Sequence, residues 1–317
     1  MKHKFSLYVI LFLCLTAIIL LYPDKCLNYS LNGLNLWFQK MVPALFPFMV
    51  LSGIMIRMDL AAPCVRLLMP VLGRLFHTSP ACIYGILVGF LCGFPMGAHT
   101  AAQLYESRQI TREEASFLLA FCNNIGPVYF LSFVMPVLGI SSPGLYLFGM
   151  YGLPFLYGLF LRYTTYRDRI SPIQSEIRAD YKAGSRTLSF ACALDQSVEN
   201  ALINIARLGG YMIIFNLLFI LPELLTRHLS GFPQIDLLAG SICCLLEITG
   251  GISILGKNAS YFVLCALPFG GLSCTLQTYS MIRHTDLSLT EYIMHKAILT
   301  AITVVFYLVA ANRFFLP

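Results

Sequence analysis

Charge is what this sequence has least of. Asp, Glu, Lys and Arg together make up 11% of its 317 residues, where soluble domains carry roughly one-quarter. No hydrophilic stretch is long enough to fold as a separate soluble domain. The basic residues behind the net charge of +6 are scattered through short connections, so they form no nucleic-acid-sized patch and no nucleic-acid partner is expected. His-x-x-x-His and paired-cysteine spacings are both missing, which argues against a metal site or a cofactor. The 11 cysteines fall mostly within apolar runs and read as small buried hydrophobes. Tryptophan occurs once, at Trp37.

What is present is apolar. Hydrophobic residues make up 58% of the chain and mean hydropathy is +0.75, which specifies an all-α polytopic membrane protein with the lipid bilayer as its first partner. Lys2 and Lys4 precede an apolar run over 5–22 with no small-x-small site before Pro23, so the run reads as an uncleaved first span with the N-terminus in the cytoplasm. Leu34, Trp37, Phe38 and Met41 share one face of an amphipathic segment over 31–41, which predicts an interfacial helix. A span over 42–56 follows, interrupted early by Pro43 and Pro47. The segment 81–105 reads as a re-entrant helical hairpin, 115–138 as a span broken at 123–127, and 145–161 as a plain span.

The same order then repeats. Phe190, Leu194, Val198, Ala201, Leu202 and Ile205 mark a second amphipathic helix. A span over 209–221, a broken hairpin over 237–255, a broken span over 259–281 and a plain span over 292–310 come after it. The predicted organisation is an anchor (1–30), a first repeat (31–161), a basic cytoplasmic linker (162–188) and a second repeat (189–317). On this scheme sixteen of the 21 Lys and Arg residues, Lys296 among them, fall inside, and five (Lys25, Lys40, Arg227, Lys257 and Arg313) fall outside. The first core span then runs outside to inside and its counterpart inside to outside, which makes the halves inverted repeats. In that architecture broken helices meet near the midplane and bind cargo.

The candidate site follows from the breaks. Gly93-Phe94-Pro95-Met96-Gly97-Ala98-His99-Thr100 interrupts the first hairpin and Leu246-Glu247-Ile248-Thr249-Gly250-Gly251 the second. Each has a later counterpart: Asn123-Asn124-Ile125-Gly126-Pro127 and Phe269-Gly270-Gly271-Leu272-Ser273. Irregular backbone and polar side chains at membrane depth are tolerated only against protein or a water-filled cavity, so breaks at matching places mark a site. Glu247 is the one acidic residue in the middle of an apolar segment, suited to accepting a proton, holding a driving cation or binding hydroxyl or amine groups of cargo. A structural hydrogen bond to a neighbouring helix is the plainer alternative. Asn123 and Asn124 divide the work, one supporting the break and the other facing the cavity. His99 contacts either cargo or merely water at the cytoplasmic mouth. Gly126, Gly251, Gly270 and Gly271 serve close packing or, beside Pro127, Thr249 and Ser273, open N–H groups at half-helix starts that favour anions.

The motifs Gly93-Phe94-Pro95-Met96-Gly97-Ala98, Ile110-Thr111-Arg112-Glu113-Glu114-Ala115, Asn124-Ile125-Gly126-Pro127 and Leu246-Glu247-Ile248-Thr249-Gly250-Gly251 resemble the sporulation integral membrane protein YlbJ family of the nucleoside-recognition (Gate) domain proteins. The likeness runs from about Leu36 to the last span. It implies a plan similar to concentrative nucleoside carriers, with paired re-entrant hairpins, and for the sporulation branch a small anionic spore metabolite such as dipicolinate. His99 stands where that family usually has lysine, and Ile125 where it usually has serine. An anionic cargo would then depend on protonation of His99.

The expected function is transport of a small polar or anionic molecule, dipicolinate-like or nucleoside-like, by alternating access, with H+ or Na+ as coupling ion and a homo-oligomer as a compatible assembly. The expected place is a bacterial cytoplasmic or forespore membrane. Competing classes are a non-transporting scaffold of a sporulation complex, a passive channel, and an intramembrane serine hydrolase using Ser273 with His295 as base. Such a scaffold would not require polar breaks at matching places, and the hydrolase lacks an evident third group; the protein is expected not to be an enzyme.

Overall fold

The computed structural model describes residues 2–58, 60–140, 143–170, 189–227 and 234–314. Two long helices set its frame. After α1 (Lys2–Leu21) the chain enters α2 (Pro23–Met55), which passes straight through Pro43 and Pro47. Pro43 has no N–H to offer the preceding turn, and the helix absorbs this by widening over Trp37–Met41, where the Val42 N–H bonds the Trp37 carbonyl in π-helical fashion. The interfacial helix expected over 31–41 and the span expected over 42–56 are therefore one rod. The same correction applies to the second half, where the amphipathic stretch and the span over 209–221 merge in α9 (Phe190–Thr226).

The apolar faces that suggested interfacial helices are covered by each other only in part: Met41, Ala201 and Ile205 are buried, whereas Leu34, Phe38, Phe190, Leu194 and Leu202 stay exposed. α2 and α9 lie antiparallel: Tyr29 meets Phe219 edge-to-face, Gly33 backs onto Met212 and Asn216, Gly53 onto Ser197, and Arg57 bonds Gln196 at 2.8 Å. Small residues let the two backbones approach. Trp37, expected at the lipid interface, instead lies over Gly209, where an added Cβ would stand 2.6 Å from its ring, and its Nε1 donates to the Ile205 carbonyl at 2.8 Å.

The remaining helices pack on this pair. α3 (Val65–Phe76) bends by 98° into α4 (Pro80–Cys92), which folds back through Gly93, Phe94 and Pro95 into α5 (Met96–Glu106). α6 (Arg112–Phe121) stops at an extended stretch and the chain resumes as α7 (Pro127–Leu138), then α8 (Gly144–Tyr163). The second half gives a hairpin of α10 (Ile235–Leu246) and α11 (Ile248–Leu255), a broken helix of α12 (Ser260–Ala266) and α13 (Gly271–Ile282), and α14 (Leu289–Phe314). Among the described residues the fold is helical throughout. Five helices are long and apolar enough to cross a membrane, six if the bent α3–α4 pair is one span, as a multi-pass membrane protein requires.

Each hairpin is locked to its later break in the same manner. Gly126, which starts α7, presses on the end of α4, so that an added Cβ would lie 2.6 Å from the Cys92 carbonyl. Gly271, which starts α13, presses on the end of α10, where an added Cβ would lie 3.1–3.3 Å from the carbonyls of Cys244, Leu245 and Leu246. Gly271 also has φ +82, a conformation that side chains resist. Glu114 closes the other end of the first hairpin: it forms a capping box with Thr111 and accepts the Ser79 N–H at 2.9 Å, tying the start of α6 to the start of α4.

Of the expected linker 162–188, residues 171–188 lie outside the described residues. Arg162, counted among its basic residues, is 5% exposed and donates to the carbonyls of Phe76, His77, Tyr166, Arg167 and Ile170. It closes the end of α3 against α8.

Gly126→Ala is expected to lower stability by about 2 kcal/mol, because backbone rather than a flexible side chain occupies the space. Gly144→Ala, with nothing within 4 Å of its added Cβ, is expected to leave stability unchanged; thermal unfolding in detergent compares the two.

Candidate functional site

Three of the four breaks, together with α13, line one cavity. Phe94 from the first hairpin, Ile125 and Gly126 from the first broken helix, Glu247, Ile248 and Thr249 from the second hairpin, and Cys274 and Gln277 from α13 line it. Tyr129 and the rods complete the wall with Met41 and Leu45 of α2 and Leu208 and Met212 of α9. The cavity volume is about 50 Å³, room for a water or two and well below that of a small-ligand pocket. Its walls are mostly apolar, with one carboxylate, one amide and two hydroxyls among them.

Glu247 is held firmly. It is 2% exposed and caps α11: Oε1 accepts the Thr249 N–H at 3.0 Å, and Oε2 accepts the Gly250 N–H at 2.7 Å and the Asn216 amide at 3.1 Å. A carboxylate at a helix N-terminus is stabilised by the free N–H groups and the dipole there. The structural hydrogen bond and the cavity-facing role thus belong to the same residue. Thr249 reaches across to the first half, where the Tyr129 hydroxyl bonds it at 3.2 Å.

Neither asparagine lines the cavity. Asn123 accepts the Ala98 N–H at 3.1 Å through Oδ1, and its amide donates to Thr278 at 2.9 Å and Tyr292 at 3.4 Å. Asn124 donates to the Phe121 carbonyl at 2.5 Å, and its own carbonyl accepts the Phe94 N–H at 2.6 Å. Both tie the first break to the tip of the first hairpin. The expected division between support and cavity fails because the tip itself needs both partners.

The remaining predicted residues scatter around this centre. His99 and Met96 line a second, smaller pocket with Arg57, Gln103, Ser197, Asn200 and Asn204. Thr100 is fully buried with its hydroxyl unpartnered. Pro95 and Gly97 shape the hairpin tip, Gly97 lying against Asn123. Gly250 packs on Asn216 and Phe219, Gly251 on Cys244, and Gly270 on the Phe94 ring. Ser273 accepts a bond from Gln277 at 2.9 Å, whereas His295 pairs with Tyr157 at 2.7 Å, so the hydrolase pair is not assembled. An added Cβ at Gly126 or Gly271 would meet carbonyls, and the N–H groups that open α11 are taken by the Glu247 carboxylate.

Sequence reasoning missed Lys296. Counted as an inside charge near a helix end, it is 1% exposed, and its Nζ donates to the Asn124 Oδ1 at 2.7 Å and to the Asn123 carbonyl. The rule that singled out Glu247, a lone charge within an apolar helix, applies equally to Lys296 between Tyr292 and Leu299. Tyr129 and Gln277 left no such signal, because Tyr and Gln in apolar helices are unremarkable until their neighbours are known.

The chain is 24% identical to the sporulation integral membrane protein YlbJ of Bacillus subtilis (strain 168), over an alignment of 319 residues that takes in 90% of this chain and 77% of that protein. No family model and no solved structure matches it.

Glu247→Ala is expected to destabilise the protein by about 2 kcal/mol, since three buried donors lose their acceptor. Glu247→Gln, which keeps one amide oxygen in place, is expected to cost less, and paired melting curves measure the difference.

Proposed function

From a chain whose likeness to sporulation integral membrane protein YlbJ supports its place in that family, we propose a carrier that moves a small polar metabolite by alternating access. The observation that carries this reading is the cavity shared by three helix breaks, α13 and two rods. A scaffold has no need to bring several interruptions to one place, whereas a carrier builds its cargo site from them. The two halves act as inverted repeats with re-entrant hairpins. The antiparallel pairing of α2 with α9 supports this, as does the equivalent seating of Gly126 on the end of α4 and of Gly271 on the end of α10. The setting is spore formation, in a bacterial cytoplasmic or forespore membrane.

The lining selects among cargoes. Its one carboxylate is that of Glu247, and Thr249, Tyr129 and Gln277 add hydroxyls and an amide. Such a surface favours an uncharged, hydroxyl- or amine-bearing molecule with an apolar body, nucleoside-like in character, because a dicarboxylate would face like charge. An anionic cargo has one observation in its favour, the pocket of Arg57 and His99 further along the same rods.

Ligand that binds only the folded state raises the apparent melting temperature. Nucleosides are expected to shift the purified protein by a few degrees and to lose most of that shift in Glu247→Gln, with dipicolinate giving little. A dipicolinate shift that grows on acidification would move the assignment to the anion pocket. No shift with any compound, together with unchanged uptake in Glu247→Gln and Asn124→Ala, would overturn the carrier.

A further inference from the structure

Lys296 poses a problem that the cavity does not solve. It is buried on α14, where a charged group is costly without a partner. Among the described residues no carboxylate pairs with it: the ion pairs found are Lys25 with Glu223 and Arg112 with Asp286. Its ammonium is instead surrounded by uncharged oxygen and aromatic faces. The Asn123 carbonyl at the open end of α6 and the Asn124 Oδ1 accept from it. The Phe94 ring centroid lies 4.8 Å away and that of Tyr292 5.7 Å away, both within cation–π range.

This is the environment of a bound cation. At a broken membrane helix the last carbonyls of the first half lose their helical partners and carry the negative end of the dipole. Unwound carbonyls of this kind, with nearby side-chain oxygens, coordinate Na+ in carriers that use it. Here the oxygens of Asn123 and Asn124 converge on a group supplied by the chain.

We propose that the Lys296 ammonium fills a monovalent-cation site formed by the broken end of α6, in the place a sodium ion would take, so that this break needs no metal ion. The lysine joins three elements by its charge: the α6 break, the tip of the first hairpin through Phe94, and α14. Its meaning for ion coupling rests on the carrier reading, but the charge-for-cation exchange does not and is tested without cargo. No second cation is then required to close the first break.

Melting temperatures of the purified protein in sodium, potassium and choline chloride at equal ionic strength test this, with methylammonium chloride as a fourth probe. The parent is expected to melt alike in all four. Lys296→Ala, which empties the site, is expected to melt lower in choline and to recover by a few degrees in methylammonium or sodium, and Asn124→Ala in the same background is expected to abolish the recovery. Lys296→Met keeps the stem without the charge and guards against loss of folding in the alanine variant. It is expected to be destabilised, less than additively with Asn124→Ala, because the two remove one interaction. A Lys296→Met protein as stable as the parent would overturn the proposal, as would sodium stabilisation equal in parent and Lys296→Met. A carrier that fails its cargo test while these cation results hold would lose only the transport reading.

Discussion

Everything in this fold follows from the need to satisfy backbone polar groups where helices stop inside a slab without water. Each interruption leaves N–H groups on one side and carbonyls on the other, to be closed by side chains at the break or by protein from elsewhere in the chain. Asn123 and Asn124 hold the first hairpin tip. Glu247 caps the second. Lys296 takes the carbonyl left open at the end of α6. Because the first break is closed by groups from α5, α13 and α14 and Glu247 is braced by Asn216 of α9, these breaks are satisfied by being gathered, and a cavity is what remains where their side chains do not meet.

The electrostatics of that centre are asymmetric. The second hairpin brings a carboxylate to the cavity wall, while the first break is served by an ammonium kept behind Phe94 and out of the cavity. Both groups come from the second half of the chain, one serving each break, and among the described residues they form no ion pair with each other. The cavity is bordered by acceptor groups on the Glu247 side and by the Phe94 ring, with the Lys296 ammonium behind it, on the other.

How much of this the sequence disclosed depended on the kind of signal. Breaks announced themselves, since Gly93-Phe94-Pro95 and Gly126-Pro127 violate helix chemistry wherever they occur, and Glu247 violates membrane chemistry. The all-helical, multi-pass architecture followed from hydropathy alone. The rods were misread because their evidence was ambiguous. An amphipathic face at residues 31–41 looks the same whether lipid headgroups or another helix covers it, and Pro43 ends a helix or is absorbed by a widened turn according to its surroundings. One of Asn123 and Asn124 was expected to face the cavity because a side chain's direction at a break depends on tertiary partners, for Asn123 Thr278 and Tyr292, more than 150 residues away in sequence.

That distance in sequence bears on how the protein is made. α2 lies along α9, and its contact face of Gly33, Trp37 and Gly53 is matched only by residues from Ser197 to Asn216. The ribosome delivers the first partner long before the second. Until α9 emerges, α2 stands in lipid with its small-residue face unfilled and the Trp37 N–H without the Ile205 carbonyl, while Asn123 waits still longer for Thr278. The first half therefore lacks these partners until the second half has been made.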